Sequence, residues 1–157
     1  QGRMEFGSRA LGNRSILASP FIPNMKAKLN EVIKKREGFR PFAPSCIEKD
    51  AYKLFNIKEP IPYMNQVVTV KDGVRPMPAI THVDGSARVQ TVNKKQNSKY
   101  YLLLQELKRI SGIGVSLNTS FNFKDQTITM IPKEAIDRFL DCEMDYLIIE
   151  NYLIEKV

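Results

Sequence analysis

The sequence predicts an α/β fold: a mixed sheet with helices packed on it, in a single domain. Three observations lead there. Short β-branched runs are interspersed with stretches of helical periodicity, but without the regular strand–helix alternation of a doubly wound sheet. Of the 157 residues, 43% are apolar, which suits one substantial core rather than two. No internal repeat or low-complexity tract interrupts the pattern.

Taken in order, Ser15 to Ala18 is a short apolar run closed by Pro20 and Pro23, which reads as a brief strand and a turn. Asn24 is placed to cap a helix in which Met25, Leu29, Val32 and Ile33 recur at helical spacing and which nears its end at Arg36. Gly38 breaks that pattern, and Pro41 and Pro44 remove ladder donors, so Pro41 to Ile47 is expected on an extended or edge strand with Arg40 at its entrance. Lys49 to Pro62 suggests a short helix and a loop, Gln66 to Val70 a strand, and Lys71 to Pro78 a turn and irregular chain. Asp84-Gly85 is a strong turn signal before a strand holding Ala87, Val89 and Val92, with Arg88 pointing opposite to Val89. After a polar link from Asn93 to Ser98, Tyr100, Leu103, Leu104, Leu107 and Ile110 form the stripe of an amphipathic helix ended at Gly112. Ile113 to Leu117 is a short buried strand, Pro132 opens a last helix carrying Ile136, Phe139 and Leu140, and Tyr146 to Val157 supplies one or two closing strands.

The net charge is +7, but it is uneven: residues 1–40 hold nine Lys and Arg against three acids, and residues 132–157 hold three against seven. A basic front suits an anionic partner, whether nucleic acid, membrane surface or a small phosphorylated ligand. No run of about 18 apolar residues and no signal-peptide pattern is visible, so a cytoplasmic protein without a membrane partner is the expectation. Cys46 and Cys142 lack CxxC spacing and read as reduced, packed thiols. His82 is the single histidine, too few for a multi-histidine metal centre, so no metal ligands are assigned.

Two stretches carry chemistry. The first, GRMEFGSRALGNRS from Gly2 to Ser15, repeats glycine at Gly2, Gly7 and Gly12 and arginine at Arg3, Arg9 and Arg14, with one acid, Glu5. Glycine permits close backbone approach and the arginine fork matches phosphate or carboxylate, so this is a candidate anion site. Its spacing is neither GxGxxG nor GxxxxGK[ST]. An ordinary basic loop with glycine turns stays open as the plainer reading. The second is NTSFN, where Asn118, Ser120 and Asn122 fall on one side of an extended chain after a buried strand, as a ligand wall would. Turn chemistry at a strand end is the alternative.

Three long stretches go further: GRMEFGSRALGNRSIL, KKREGFRPFAP at residues 34–44, and ITHVDGSARVQTV followed by GVSLNTSFN. In this order, over nearly the whole chain, they resemble the C-terminal domain of the O-carbamoyltransferases of the nodulation and antibiotic-tailoring type, such as those of tobramycin and cephamycin biosynthesis. The resemblance implies a YrdC-like twisted mixed sheet with packed helices that makes carbamoyl adenylate from carbamoyl phosphate and ATP with Mg²⁺. It implies that residues 1–157 are one piece of a two-domain enzyme, whose larger N-terminal domain is the intramolecular partner, holds iron and transfers the carbamoyl group to an acceptor hydroxyl. Gln1, falling within a rich motif, agrees with a piece of a longer polypeptide.

By motif match, Lys34, Arg40, Ser120 and Asn122 are the expected catalytic set, resembling the Lys, Arg, Ser and Asn of YrdC-like sites. Arg9 and Arg88 are expected to contact phosphate, and Arg14 and Asn118 are further candidates for substrate or nucleotide binding. His82 and Asp84 are explained nearly as well by a turn with a structural histidine. Such chemistry needs charge neutralisation and in-line placement more than a nucleophile, which fits the residue types present. Two departures from the family pattern stand out: Ser8 where proline is usual, and Asp125, Gln126 and Thr127 where a Gly-Glu-Pro turn is usual. Two rivals follow from the same residues. One is a nucleic-acid-binding module, suggested by charge and by Phe39 and Phe42 beside Arg40, although no recognition-helix or RNP signature accompanies them. The other is a docking domain whose site has decayed.

Overall fold

The structure, a computed structural model, describes residues 1–156. Four strands form the central sheet: β1 (Ser15–Ala18), β2 (Ala43–Ile47), β5 (Gln90–Val92) and β6 (Val115–Ser120), in the order β1, β6, β2, β5. β6 runs antiparallel to β1 and β2, and β2 runs parallel to β5. Two small antiparallel pairs flank it: β3 (Val68–Thr69) with β4 (Ser86–Ala87), and β7 (Leu147–Ile149) with β8 (Tyr152–Ile154). The helices are α1 (Met25–Ala27), which runs into a π-helical segment Lys28–Ile33, then α2 (Glu48–Leu54), α3 (Ser98–Ser111) and α4 (Pro132–Leu140). The mixed α/β architecture is the one expected, and no helix among the described residues is long and apolar enough to cross a membrane.

The sheet's two faces differ chemically, and that difference places the site. Side chains alternate along each strand. Ile16, Cys46, Val115 and Leu117 therefore share one face and join the main core with Leu29, Ile33, Phe42, Phe55 and Phe139. The other face carries Ser45, Ser116 and Asn118 beside Ile47, and is covered by Tyr100 and Leu104 of α3 and by the opening loop. A buried polar face needs partners for every group on it. The loop from Gly2 to Arg14 supplies two of them, the Ala10 and Leu11 carbonyls.

Several elements sit where the sequence placed them. α3 begins after Asn97, whose side chain accepts the amide of Tyr100, and ends at Gly112 with φ 82°, a left-handed stop that glycine adopts without strain. Pro132 occupies the first turn of α4. Asp84-Gly85 makes its turn, with Gly85 donating its amide to the His82 carbonyl. Cys46 and Cys142 are buried and unbonded to each other.

Other expectations are corrected. β2 is an interior strand, not an edge, because the hydrogen-bonded ladder to β5 stops at Ser45, one residue short of Pro44, and so tolerates the proline. Asn24 makes no side-chain cap, and the helix that was to run to Arg36 widens after one turn: the Lys34 amide bonds the Leu29 carbonyl at 2.8 Å. Leu29 and Ile33 are buried in either winding, so their spacing could not reveal the wide turn, whereas Val32 is left exposed. The stripe of α3 buries only Tyr100 and Leu104 fully, while Ile110 is exposed. On α4, Phe139 is buried with Ala135, and Leu140 is exposed.

Gly12 shows why the opening loop is glycine-rich at one point. Its φ is +115°, and a Cβ there would stand 2.3 Å from the Tyr100 ring. The backbone lies directly on the aromatic ring, so no larger residue fits.

Candidate functional site

Lys34 is the centre of the site. The π-helical segment turns its side chain inward until the residue is only 3% exposed, and the next residue, Lys35, takes a left-handed φ of 51° as the chain leaves. A wide turn followed by a strained non-glycine residue is a backbone arrangement found preferentially where a side chain must be aimed. Lys34 Nζ donates to the Ser120 carbonyl at 2.7 Å, to Asn122 Oδ1 at 2.8 Å and to Ser120 Oγ at 3.4 Å. Ser120 Oγ in turn donates to Asn122 Oδ1 at 2.7 Å. Three acceptors match the three protons of an ammonium. Burial, aided by the neighbouring charge of Arg36, nevertheless pulls the Lys34 pKa down to about 7.

The loop after Lys34 is shaped by Asn30, a fully buried residue. Its Nδ2 donates to the carbonyls of Gly38 and Arg40 at 3.1 and 3.0 Å, and its Oδ1 accepts from Arg36 Nε at 2.7 Å. Arg36 stacks over Phe42, 4.9 Å from the ring centroid. Its pKa is lowered first by burial and then by the charge of Arg40. Arg40, about half exposed, pairs with Glu37 at 2.9 Å, and Lys124 approaches the same carboxylate at 3.6 Å. Arg36 and Asn30 were not expected as site residues. The signal available for Arg36 was the Lys34-Lys35-Arg36 run itself. Asn30, a polar residue inside a helical stripe, offered none.

The opening loop makes the second half of the site. Glu5 Oε1 accepts the amides of Leu11 and Asn13 at 2.7 Å and of Arg14 at 3.2 Å, so the one acid of the motif is consumed in folding it. Arg14 is consumed likewise: its Nη1 and Nη2 donate to the carbonyls of Gln1, Gly2, Asn13 and Met130. Its guanidinium thus frames the loop. Arg9, by contrast, is exposed, and no hydrogen bond or ion pair holds its guanidinium among the described residues. It lies near Arg88, whose pKa is lowered first by burial and then by the charge of Arg9. The Nε of Arg88 is buried without a hydrogen-bond partner. Among the described residues no carboxylate pairs with either guanidinium, and the buried Arg88 Nε has no acceptor, so the pair suits an anion.

Asn118 corrects the ligand-wall expectation. It is 1% exposed, and its Nδ2 lies 3.2 Å from the Ala10 carbonyl, so the opening loop itself covers it. Of the expected row, Ser120 and Asn122 reach Lys34 and Asn118 does not. Asn118 and Ser120 stand about 7 Å apart along β6; the loop that follows Arg9 reaches the first and Lys34 reaches the second. His82 and Asp84 fall to the plainer reading: His82 Nδ1 is 3.0 Å from Ser86 Oγ, and Asp84 Oδ1 accepts the Ser86 amide and hydroxyl at 3.0 and 2.6 Å.

The departure after NTSFN has a structural answer. Asp125 takes φ 61°, the left-handed geometry for which glycine is usual, and Asp tolerates it better than most residues. The Gln126 carbonyl, not its side chain, accepts from Asn122 Nδ2 at 2.8 Å. The turn orients Asn122 through its backbone whichever side chain it carries. Beyond it, Lys35, Phe123, Lys124, Gln126, Arg138 and Asp141 line an open depression of about 430 Å³.

With this geometry in place, the comparisons with known proteins are specific. Residues 1–156 match the family model described as Carbamoyltransferase C-terminus. The nodulation protein NolNO of Sinorhizobium fredii is 44% identical over 160 residues, covering 99% of this chain and 24% of that protein. The 3'-hydroxymethylcephem-O-carbamoyltransferase of Amycolatopsis lactamdurans is 47% identical over 128 residues, 80% of this chain and 24% of that protein. Nodulation protein U of Sinorhizobium fredii is 46% identical over 126 residues, 78% of this chain and 22% of that protein. The chain spans about a quarter of the length of these relatives, and by a match running from its first described residue to its last it belongs to the carbamoyltransferase C-terminal family.

Proposed function

We propose that this chain forms carbamoyl adenylate from carbamoyl phosphate and ATP with Mg²⁺, as the adenylating part of an O-carbamoyltransferase. The observation that carries this reading is a pair of cationic clusters anchored at neighbouring positions of β6: the Lys34–Ser120–Asn122 cluster backed by Arg36, and the Arg9–Arg88 pair, whose Arg88 Nε is buried with no partner among the described residues. Two phosphorylated reactants need two places for negative charge, held at fixed separation. The Arg9–Arg88 pair suits the phosphates of one reactant, with Mg²⁺ carried on the nucleotide. Lys34, protonated, suits the charge that develops where the mixed anhydride forms.

For each carbamoyl adenylate made, carbamoyl phosphate loses phosphate, ATP loses pyrophosphate, and one water is consumed. The chain's residues bind, orient and neutralise. No nucleophilic side chain is required. Transfer to an acceptor hydroxyl belongs to a preceding iron-holding domain, consistent with the length of the relatives.

Calorimetric titration tests the reading. The chain is expected to bind Mg-ATP, and carbamoyl phosphate in its presence, with both affinities reduced in Lys34→Met and in Arg9→Ala respectively or jointly. Binding of neither ligand by the folded wild-type chain overturns it.

A further inference from the structure

Behind the Arg9 loop lies a buried polar group that the proposed chemistry does not use. Asn118 of β6, Ser45 of β2 and Gln90 of β5 meet across three adjacent strands. Ser45 Oγ donates to Gln90 Oε1 at 2.5 Å, and Asn118 Nδ2 lies 3.0 Å from both Ser45 Oγ and Gln90 Oε1. All three residues are buried, at 0%, 4% and 1% exposure for Ser45, Gln90 and Asn118. From this group two donors reach out to the same stretch of backbone: Gln90 Nε2 to the Leu11 carbonyl at 3.0 Å and Asn118 Nδ2 to the Ala10 carbonyl at 3.2 Å. Those are the two residues that follow Arg9.

The orientation of the Asn118 amide is determined by its surroundings. Around Asn118 Nδ2 stand three acceptors, while its Oδ1 is buried without a partner. Flipping the amide would turn an oxygen toward the Ala10 carbonyl and the Gln90 oxygen, which is repulsive. The Oδ1 therefore goes unpaired so that the amide can hold the loop. A buried unsatisfied oxygen costs stability, and its retention marks the loop contact as the stronger demand.

Gln90 also begins β5 two residues after Arg88 in the chain. One residue thus ties the backbone carrying Arg9 to the segment carrying Arg88. We infer that Ser45, Gln90 and Asn118 are positioning residues that set the spacing of the Arg9 and Arg88 guanidinia for a phosphate-bearing ligand. This rests on the functional reading above for the ligand, but not for the contact.

The test is a double-mutant cycle on Mg-ATP affinity, with inorganic pyrophosphate as a second probe, using wild type, Arg9→Ala, Gln90→Met and the double variant. Gln90→Met is expected to weaken binding about tenfold, the scale of one charge-assisted hydrogen bond. Arg9→Ala should then cost less than about twofold further, since the arginine is already misplaced. A purely structural role would leave the two losses multiplicative, and that result overturns the inference. Limited trypsin digestion at the Arg9–Ala10 bond gives a readout that needs no ligand: Gln90→Met, or the milder Ser45→Ala if the first variant does not fold, should be cut there faster than wild type while its circular dichroism is unchanged. Equal cleavage rates overturn the inference. Failure of the wild-type chain to bind Mg-ATP or pyrophosphate refutes the functional reading instead, and the digestion still decides the contact.

Discussion

Lys34 should make folding stability and ligand affinity respond to pH in opposite directions. Its pKa in the folded chain is about 7, against an ordinary value of 10.5, with burial the main cause and Arg36 the second. Because the folded state releases the proton first, the unfolded chain binds more protons between these values, and stability rises with pH across that window. The penalty is fully present below about pH 7 and is relieved by about pH 10.5. At 1.36 kcal/mol per pH unit, the window is worth roughly 5 kcal/mol at most. Affinity for carbamoyl phosphate should move the other way, since the phosphate binds the ammonium. If only the protonated site is competent, affinity is reduced about tenfold at pH 8 and about a hundredfold at pH 9. Denaturant unfolding and calorimetry from pH 6 to 10, on wild type and Lys34→Met, measure both. The variant should lose both slopes. Affinity that is the same at pH 7 and pH 9, or a fall that Lys34→Met shares, would show that the Lys34 ammonium does not bind the phosphate.

Other consequences are more local. Gly12→Ala should cost about 2 kcal/mol or more in urea unfolding, since its Cβ would stand 2.3 Å from the Tyr100 ring at a φ of +115°. Asp125→Val should cost about 1–2 kcal/mol at its left-handed φ of 61°, while Asp125→Gly should be tolerated, both by thermal unfolding. Arg40→Ala should change stability by less than about 1 kcal/mol, because its pair with Glu37 is half exposed, yet weaken carbamoyl phosphate binding by about 1.5–3 kcal/mol in calorimetry. Arg40→Lys should recover only part of that binding. Mixed with acceptor alcohol and both substrates, this chain alone should yield no carbamoylated product by mass spectrometry.

The legible parts of the fold are those with local chemistry. The left-handed stop at Gly112, the proline opening α4 and the Asp84-Gly85 turn each follow from one or two residues. The wide turn before Lys34 does not, because Leu29 and Ile33 fit an α-helix equally well and only the inward path of Asn30 and Lys34 separates the two windings. The placement of β2 inside the sheet was hidden for a similar reason: prolines forbid a donor at one position, but the shortness of β5 removes the need for it there. In the site, alternation showed that Asn118 and Ser120 share a face. It could not show that the chain's own opening loop covers the first. The arginines of that loop look equivalent in sequence, and only tertiary hydrogen bonding separates Arg14, which frames the loop, from Arg9, whose guanidinium has no such partner among the described residues.

Lys34, with its two neighbours from β6 and the loop after it, is proposed to serve the formation of carbamoyl-AMP, in which the carbamoyl group leaves phosphate and the AMP of ATP leaves pyrophosphate. Pyrophosphate release from Mg-ATP, followed with and without carbamoyl phosphate, measures this directly on the folded chain. Release is expected to require carbamoyl phosphate and to be lost in Lys34→Met, with that variant still folded by circular dichroism. Release that proceeds equally without carbamoyl phosphate, or that survives the loss of Lys34, would contradict it.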